Sequence, residues 1–131
     1  GDSIKVARLP YGKIGLTICY DIRFPNLYRE LAKKGADFIS IPAAFTYTTG
    51  LAHWHSLIRA RAIENGCFVF APAQVGNHEN GRKTYGHSMI VDPWGKVISS
   101  ATDRKGIIYA KVDLTLVRKS REKIPSMTSF L

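Results

Sequence analysis

The sequence predicts an α/β fold built in layers. Short apolar, β-branched stretches alternate with stretches whose apolar residues recur at helical spacing. Several strand stretches, residues 13–18, 36–41 and 67–73 among them, are apolar almost throughout, as strands covered on both faces are. Turn formers stand at the junctions: Pro10, Gly12, Gly35, Pro42 and Gly66.

Taken in order, residues 4–9 read as a short strand closed by Pro10-Tyr11-Gly12, and residues 13–18 as a buried strand. Residues 19–24 are a tight connection. Pro25 opens a helix, where its missing N–H costs nothing. Phe24, Leu27, Tyr28 and Leu31 recur at helical spacing, and Gly35 ends the helix after about residue 34. A second buried strand covers 36–41, and residues 43–50 form a loop. A long helix is expected from about 51 to 65, with Leu51, Trp54, Ile58 and Ala62 on one face and Gly66 as its C-terminal cap. Residues 67–73 form a third apolar strand, and 76–86 a polar loop. Residues 87–91 and 96–100 read as a hairpin around Asp92-Pro93-Trp94-Gly95, 107–112 as a further strand, and 114–122 as a short terminal helix. Two substantial helices are few for about six strands. One face of the sheet is therefore expected to depend on another chain or a further segment.

A chain of 131 residues suits one domain with one core, here 1–131. Apolar residues at 45% and charged residues at 22% are the balance of a soluble globular protein. No apolar run is long enough to span a membrane, and the first residues lack the apolar core of a signal peptide. An intracellular, cytoplasmic protein is expected. The two cysteines, Cys19 and Cys67, are isolated and do not make a disulfide framework. A formal charge of +9 raises the question of nucleic acid. The basic residues are scattered in pairs such as Lys33-Lys34 and Arg82-Lys83, with no stripe interleaved with aromatics, which argues against it.

The chemistry lies between Gly12 and Pro25. A buried strand ends on Cys19, and a turn and a helix N-terminus follow within six residues. Elbows of this kind present a nucleophile at a sheet edge. The backbone N–H of Tyr20 then faces the same space and can donate to an oxyanion. Most cysteines are buried and inert, and the position at an elbow is what sets Cys19 apart. A base is also needed. The four histidines are His53, His55, His78 and His87, and a Cys–His pair stays open. His53 and His55, two apart on a helix, point in different directions and do not suit a shared metal. Asp21 and Arg23 either pair and brace the elbow, the role expected, or one of them meets a charged substrate. Arg59, Arg61 and Glu64 are placed on the polar side of the long helix, Arg61 and Glu64 as a local surface or subunit-contact pair.

These segments together resemble the nitrilase superfamily of carbon–nitrogen hydrolases. The matching pieces are Gly-Lys-Ile-Gly-Leu-Thr-Ile-Cys-Tyr-Asp-Ile-Arg-Phe-Pro at 12–25, Pro-Ala-Ala-Phe-Thr at 42–46, Thr-Gly-Leu-Ala-His-Trp at 49–54 and Arg-Ala-Arg-Ala-Ile-Glu-Asn at 59–65. Ala-Gln-Val-Gly at 73–76, Tyr-Gly-His-Ser at 85–88 and Asp-Pro-Trp-Gly at 92–95 follow in the family's order. The likeness is strongest to the Nit branch, with its deaminated-glutathione amidases and omega-amidases. It implies an αββα sandwich, a homodimer, no cofactor or metal, and hydrolysis of a small carboxylate-bearing amide with release of ammonia. It also implies a Glu–Lys–Cys catalytic set. The cysteine falls on Cys19 as nucleophile through a thioester, the oxyanion donor on the Tyr20 N–H, and pocket-lining positions on Phe45 and Thr46. The family's glutamate and lysine lie upstream of the cysteine, and no glutamate precedes Cys19 here. Lys13 belongs to the strand motif. The chain is therefore expected to be the C-terminal part of the fold, with an N-terminal half elsewhere.

Overall fold

A computed structural model of the chain describes residues 2–128. Lys5–Leu9 (β1) turns back through Pro10 and Tyr11 into Gly12–Leu16 (β2), giving an antiparallel pair with Val6 opposite Gly15. Pro25–Lys33 (α1) carries the chain across to Phe38–Ser40 (β3), which lies parallel to β2. A longer crossover leads to Phe68–Ala71 (β4), parallel to β3. It comprises Tyr47–Thr49 (α2), a π turn at Gly50–Trp54 and His55–Asn65 (α3). Parallel neighbours need such crossovers, and helices supply them here. Met89–Val91 (β7) and Val97–Ser100 (β8) complete a six-stranded sheet in the order β1-β2-β3-β4-β7-β8.

Side chains alternate across β3 and β4, as pleated strands require. Ile39 and Val69 face α1 and α3, where they join Ile22, Tyr28, Trp54 and Ile58 in the main core. Phe38 and Phe68 point the other way and meet Val117 of Thr115–Lys123 (α4). Beside them an apolar groove of about 390 Å³ stays open between Ile14, Phe70, Val112 and Leu114. The six-stranded sheet thus has a helix layer on one face and partial cover on the other. This is the mixed α/β architecture expected, and the thin cover on one face agrees with the small helix count.

Three expectations change. The 43–50 loop ends early, because helical structure begins at Tyr47 and the Gly50 N–H already bonds to the Thr46 carbonyl at 2.8 Å. The polar loop 76–86 contains a hairpin: Val75–Asn77 (β5) pairs antiparallel with Lys83–Tyr85 (β6), around a turn in which Asn80 Oδ1 accepts the Arg82 N–H. Residues 107–112 form no strand, since no ladder partner reaches them among the described residues, and Ile107 and Tyr109 are exposed. Gly66 caps α3 in the left-handed conformation at φ +56°, as its position predicted. None of the described helices is long and apolar enough to cross a membrane.

Candidate active site

The parallel strands β2, β3 and β4 continue past their last ladder residues as single hydrogen bonds. Thr17 N–H donates to Ser40 O at 3.2 Å, Cys19 N–H to Pro42 O at 2.8 Å, and Ala43 N–H to Pro72 O at 2.9 Å. The three carboxyl ends therefore stop side by side, and a cleft of about 570 Å³ opens where they stop. Its walls are residues 18–19, 42–44 and 72–74, with Ser88 and Gly106. The carboxyl edge of parallel strands is where open α/β sheets bind ligands.

Cys19 enters this cleft on a strained backbone. It has φ +44°, in the left-handed region that residues with a Cβ rarely occupy. The strain is held from both sides. Upstream, buried Thr17 bonds through Oγ1 to Ser40 O and to the Tyr28 hydroxyl, each at 2.9 Å. Downstream, Cys19–Arg23 winds into a 3₁₀ turn whose Asp21 carboxylate accepts the Ile18 N–H at 2.8 Å. Arg61 reaches from α3 to the Ile22 carbonyl at 2.9 Å. Ile18 and Cys19 thus have their N–H groups committed to Asp21 and Pro42, and among the described residues the Tyr20 N–H has no acceptor.

The predicted site residues separate. Cys19 is half-buried and lines the cleft, while the Tyr20 side chain is exposed. Phe45 is buried, its ring 4.9 Å from that of Trp54, and Thr46 stands exposed at the start of α2. Neither is among the cleft's lining residues; Ala44, just before them, is. Asp21 and Arg23 do not form the expected pair: Asp21 holds backbone, and the Arg23 guanidinium sits over the Tyr20 and Phe45 rings at 5.7 and 5.4 Å. Arg61 and Glu64 do pair, at 2.8 Å, but Arg61 is buried under α1 against Tyr28, not on the surface. Helical spacing alone could not distinguish these faces, because α3 is flanked on more than one side.

The histidines divide as their spacing suggested. His53 Nδ1 lies 3.3 Å from Arg23, whereas His55 faces the stacked pair Tyr85 and His87. Partial burial and the neighbouring His87 hold the His55 imidazole below its ordinary range. Among the described residues, no histidine, lysine or carboxylate lines the cleft. Sequence reasoning missed Ser88, whose Oγ accepts the Ala73 N–H at 2.8 Å and ties the β4 end to β7, and Gln74, next to Ala73 in the cleft's lining. Both lie in segments that carried the family likeness, Tyr-Gly-His-Ser and Ala-Gln-Val-Gly, but their spacing assigned them no role.

Comparison with known proteins agrees with this geometry. Residues 1–122 match the family described as Carbon-nitrogen hydrolase. A deaminated glutathione amidase of Synechocystis is 49% identical over 117 residues, which are 89% of this chain and 43% of that protein. The human deaminated glutathione amidase is 50% identical, over 88% of this chain and 36% of its own length. The solved structure of Saccharomyces cerevisiae Nit3, a member of branch 10 of the nitrilase superfamily, superposes with a TM-score of 0.90 at 39% identity. It is matched over 95% of this chain and 46% of its own. The chain spans less than half the length of these relatives. With residues 1–122 matched to its model, the chain belongs to the carbon–nitrogen hydrolases and is similar to members of the Nit branch.

Proposed function

We propose that this chain carries the nucleophile of an amidase that releases ammonia from a small amide bearing a carboxylate. The observation that carries the reading is the elbow: a cysteine held at positive φ in a cleft, followed by a backbone N–H with no acceptor among the described residues. In this reading Cys19 Sγ attacks the amide carbon and the carbonyl oxygen takes the charge. The Tyr20 N–H donates to that oxygen. The amide nitrogen takes a proton and leaves as ammonia, which makes a thioester on Cys19. Water then attacks the thioester, freeing the carboxylic acid and restoring the thiol. The sum is one amide and one water giving one acid and one ammonia.

General base catalysis needs a group within hydrogen-bond reach, and among the described residues no histidine, lysine or carboxylate lines the cleft. In this reading the glutamate and lysine of the family's catalytic set come from polypeptide outside these 131 residues. Residues 1–131 are in this reading the C-terminal part of one hydrolase domain, which acts as a homodimer. Phe45 and Thr46, next in the chain after the wall residue Ala44, are in this reading the substrate-binding positions that the family likeness implies. Both cysteines are free, and chemistry that needs a reduced thiol suits a cytoplasmic setting.

The test is ammonia release over a panel of dicarboxylic and keto-acid monoamides, deaminated glutathione included. It would be run on the chain and on the chain joined to the upstream half of a Nit amidase. Cys19→Ala should lower release by at least about a thousandfold. Acid-quenched samples should carry an acyl group on Cys19 by mass spectrometry. Turnover retained in Cys19→Ala, or an acyl group on Cys67 instead, would sink the reading.

A further inference from the structure

Among the described residues, the cleft beside Cys19 has no charged side chain in its walls, and its polar side chains are few. The Ser88 hydroxyl is occupied by the Ala73 N–H and carbonyl, at 2.8 and 3.3 Å. Two charged groups nevertheless touch its wall residues. Asp21 is spent on the Ile18 N–H. The other is Arg82, whose Nη2 donates to the Ala44 carbonyl at 3.4 Å.

Arg82 differs from Asp21 in what it has left to give. A guanidinium carries five donors, and this contact uses one. Among the described residues no carboxylate lies within ion-pair distance of it, although Glu79 is on the same turn. Its backbone is fixed: the Arg82 N–H donates to Asn80 Oδ1 at 3.0 Å, and the His78 N–H to the Arg82 carbonyl at 2.8 Å. The hairpin itself is fastened to the two residues that follow the wall residue Ala44, with the Tyr85 N–H donating to Phe45 O at 2.9 Å and Thr46 bridged to Thr84. A planar, exposed cation bonded to the Ala44 carbonyl thus stands beside one wall of a cleft whose reacting sulfur lies at the Ile18 wall.

We infer that Arg82 is a specificity-determining residue, which accepts the carboxylate of a substrate whose amide end is at Cys19. The inference rests on the amidase reading above and adds the group that selects an anionic substrate. Guanidinium and carboxylate match as two parallel hydrogen bonds, which a neutral amide cannot supply.

The experiment needs no turnover. Iodoacetate and iodoacetamide both alkylate a thiolate by displacing iodide, and they differ in that only iodoacetate is an anion. Their rate constants at Cys19 are measured by mass spectrometry of the Cys19 peptide; Cys67 is fully buried and reports separately. Arg82→Ala should lower the iodoacetate-to-iodoacetamide ratio about fivefold, and Arg82→Glu further. Arg82→Lys should recover part of the ratio, and high salt should compress the difference between wild type and Arg82→Ala. A ratio that Arg82→Ala and Arg82→Glu leave unchanged overturns the inference and leaves the amidase reading standing. A Cys19 that neither reagent alkylates overturns both.

Discussion

Cys19 holds a backbone conformation that opposes its own side chain. At φ +44° the Cβ crowds the following carbonyl, at a cost of about 1–2 kcal/mol for any residue other than glycine. Thr17, Asp21 and Arg61 together hold the turn against this cost. Such strain belongs where a side chain has to be aimed. The expected signature is a reversal of the usual order of stability. Cys19→Gly should be more stable than Cys19→Ala by about 1 kcal/mol in urea denaturation, although glycine is ordinarily the more costly replacement. An alanine variant as stable as the glycine one would mean that the elbow relaxes without its sulfur and that the strain is not built into the turn.

The same kind of fit decides how whole elements meet. The helical stretch that begins at α2 passes Gly50 directly against β6: a Cβ at Gly50 would lie 2.3 Å from Tyr85 Cβ, far inside contact distance. Tyr85 cannot easily withdraw, since its ring is stacked on His87 at 4.0 Å and its backbone is bonded to Phe45. Gly50→Ala should therefore cost about 1–3 kcal/mol of stability, as overpacking does. It should also speed amide hydrogen exchange in β5 and β6, and unchanged protection there would show that the helix, not the hairpin, gives way. This contact also explains what the sequence could and could not disclose. Strands β2 to β4 were legible as nearly unbroken apolar runs and helix α1 by its helical spacing of apolar residues, with Gly and Pro at their ends. The β5–β6 hairpin was not, because Val75–Asn77 and Lys83–Tyr85 are short and polar, and Phe45 and Thr46 hold them in place from a distance. The converse error lay at 107–112, whose β-rich composition has no partner strand. Cys19 could be read from its place at a strand end, whereas Arg82 needed the fold to bring residue 82 to residue 44.

At the scale of the molecule, the buried titratable groups tie the helix layer to the sheet and set the pH range over which the layers stay together. Burial pushes the Tyr28 phenol from 10.0 up to about 12, with the Thr17 hydrogen bond opposing it. Burial likewise pushes the Cys67 thiol from 9.0 up to about 11, against the lowering influence of Arg121. Both groups are neutral when protonated, so both act in the same direction. Below pH 9 neither state of the protein ionises them, and the stability they contribute is complete. From 9 to 11 for Cys67, and from 10 to 12 for Tyr28, the unfolded chain loses protons that the folded one keeps, so stability falls as pH rises. A two-unit separation at Tyr28 corresponds to a loss of about 3 kcal/mol across its window. His55, held low, acts oppositely: its contribution is present above pH 6.5 and fades as pH falls below that, because the unfolded chain takes up the proton first. The chain should accordingly be most stable between about pH 7 and 9, with a steep alkaline limb. Tyr28→Phe should be less stable at neutral pH by about 1 kcal/mol, for the lost bond to Thr17. It should also flatten the limb between pH 10 and 12 in a series of urea melts. A Tyr28→Phe variant whose limb keeps the wild-type slope would show that this phenol does not hold the layers together at alkaline pH.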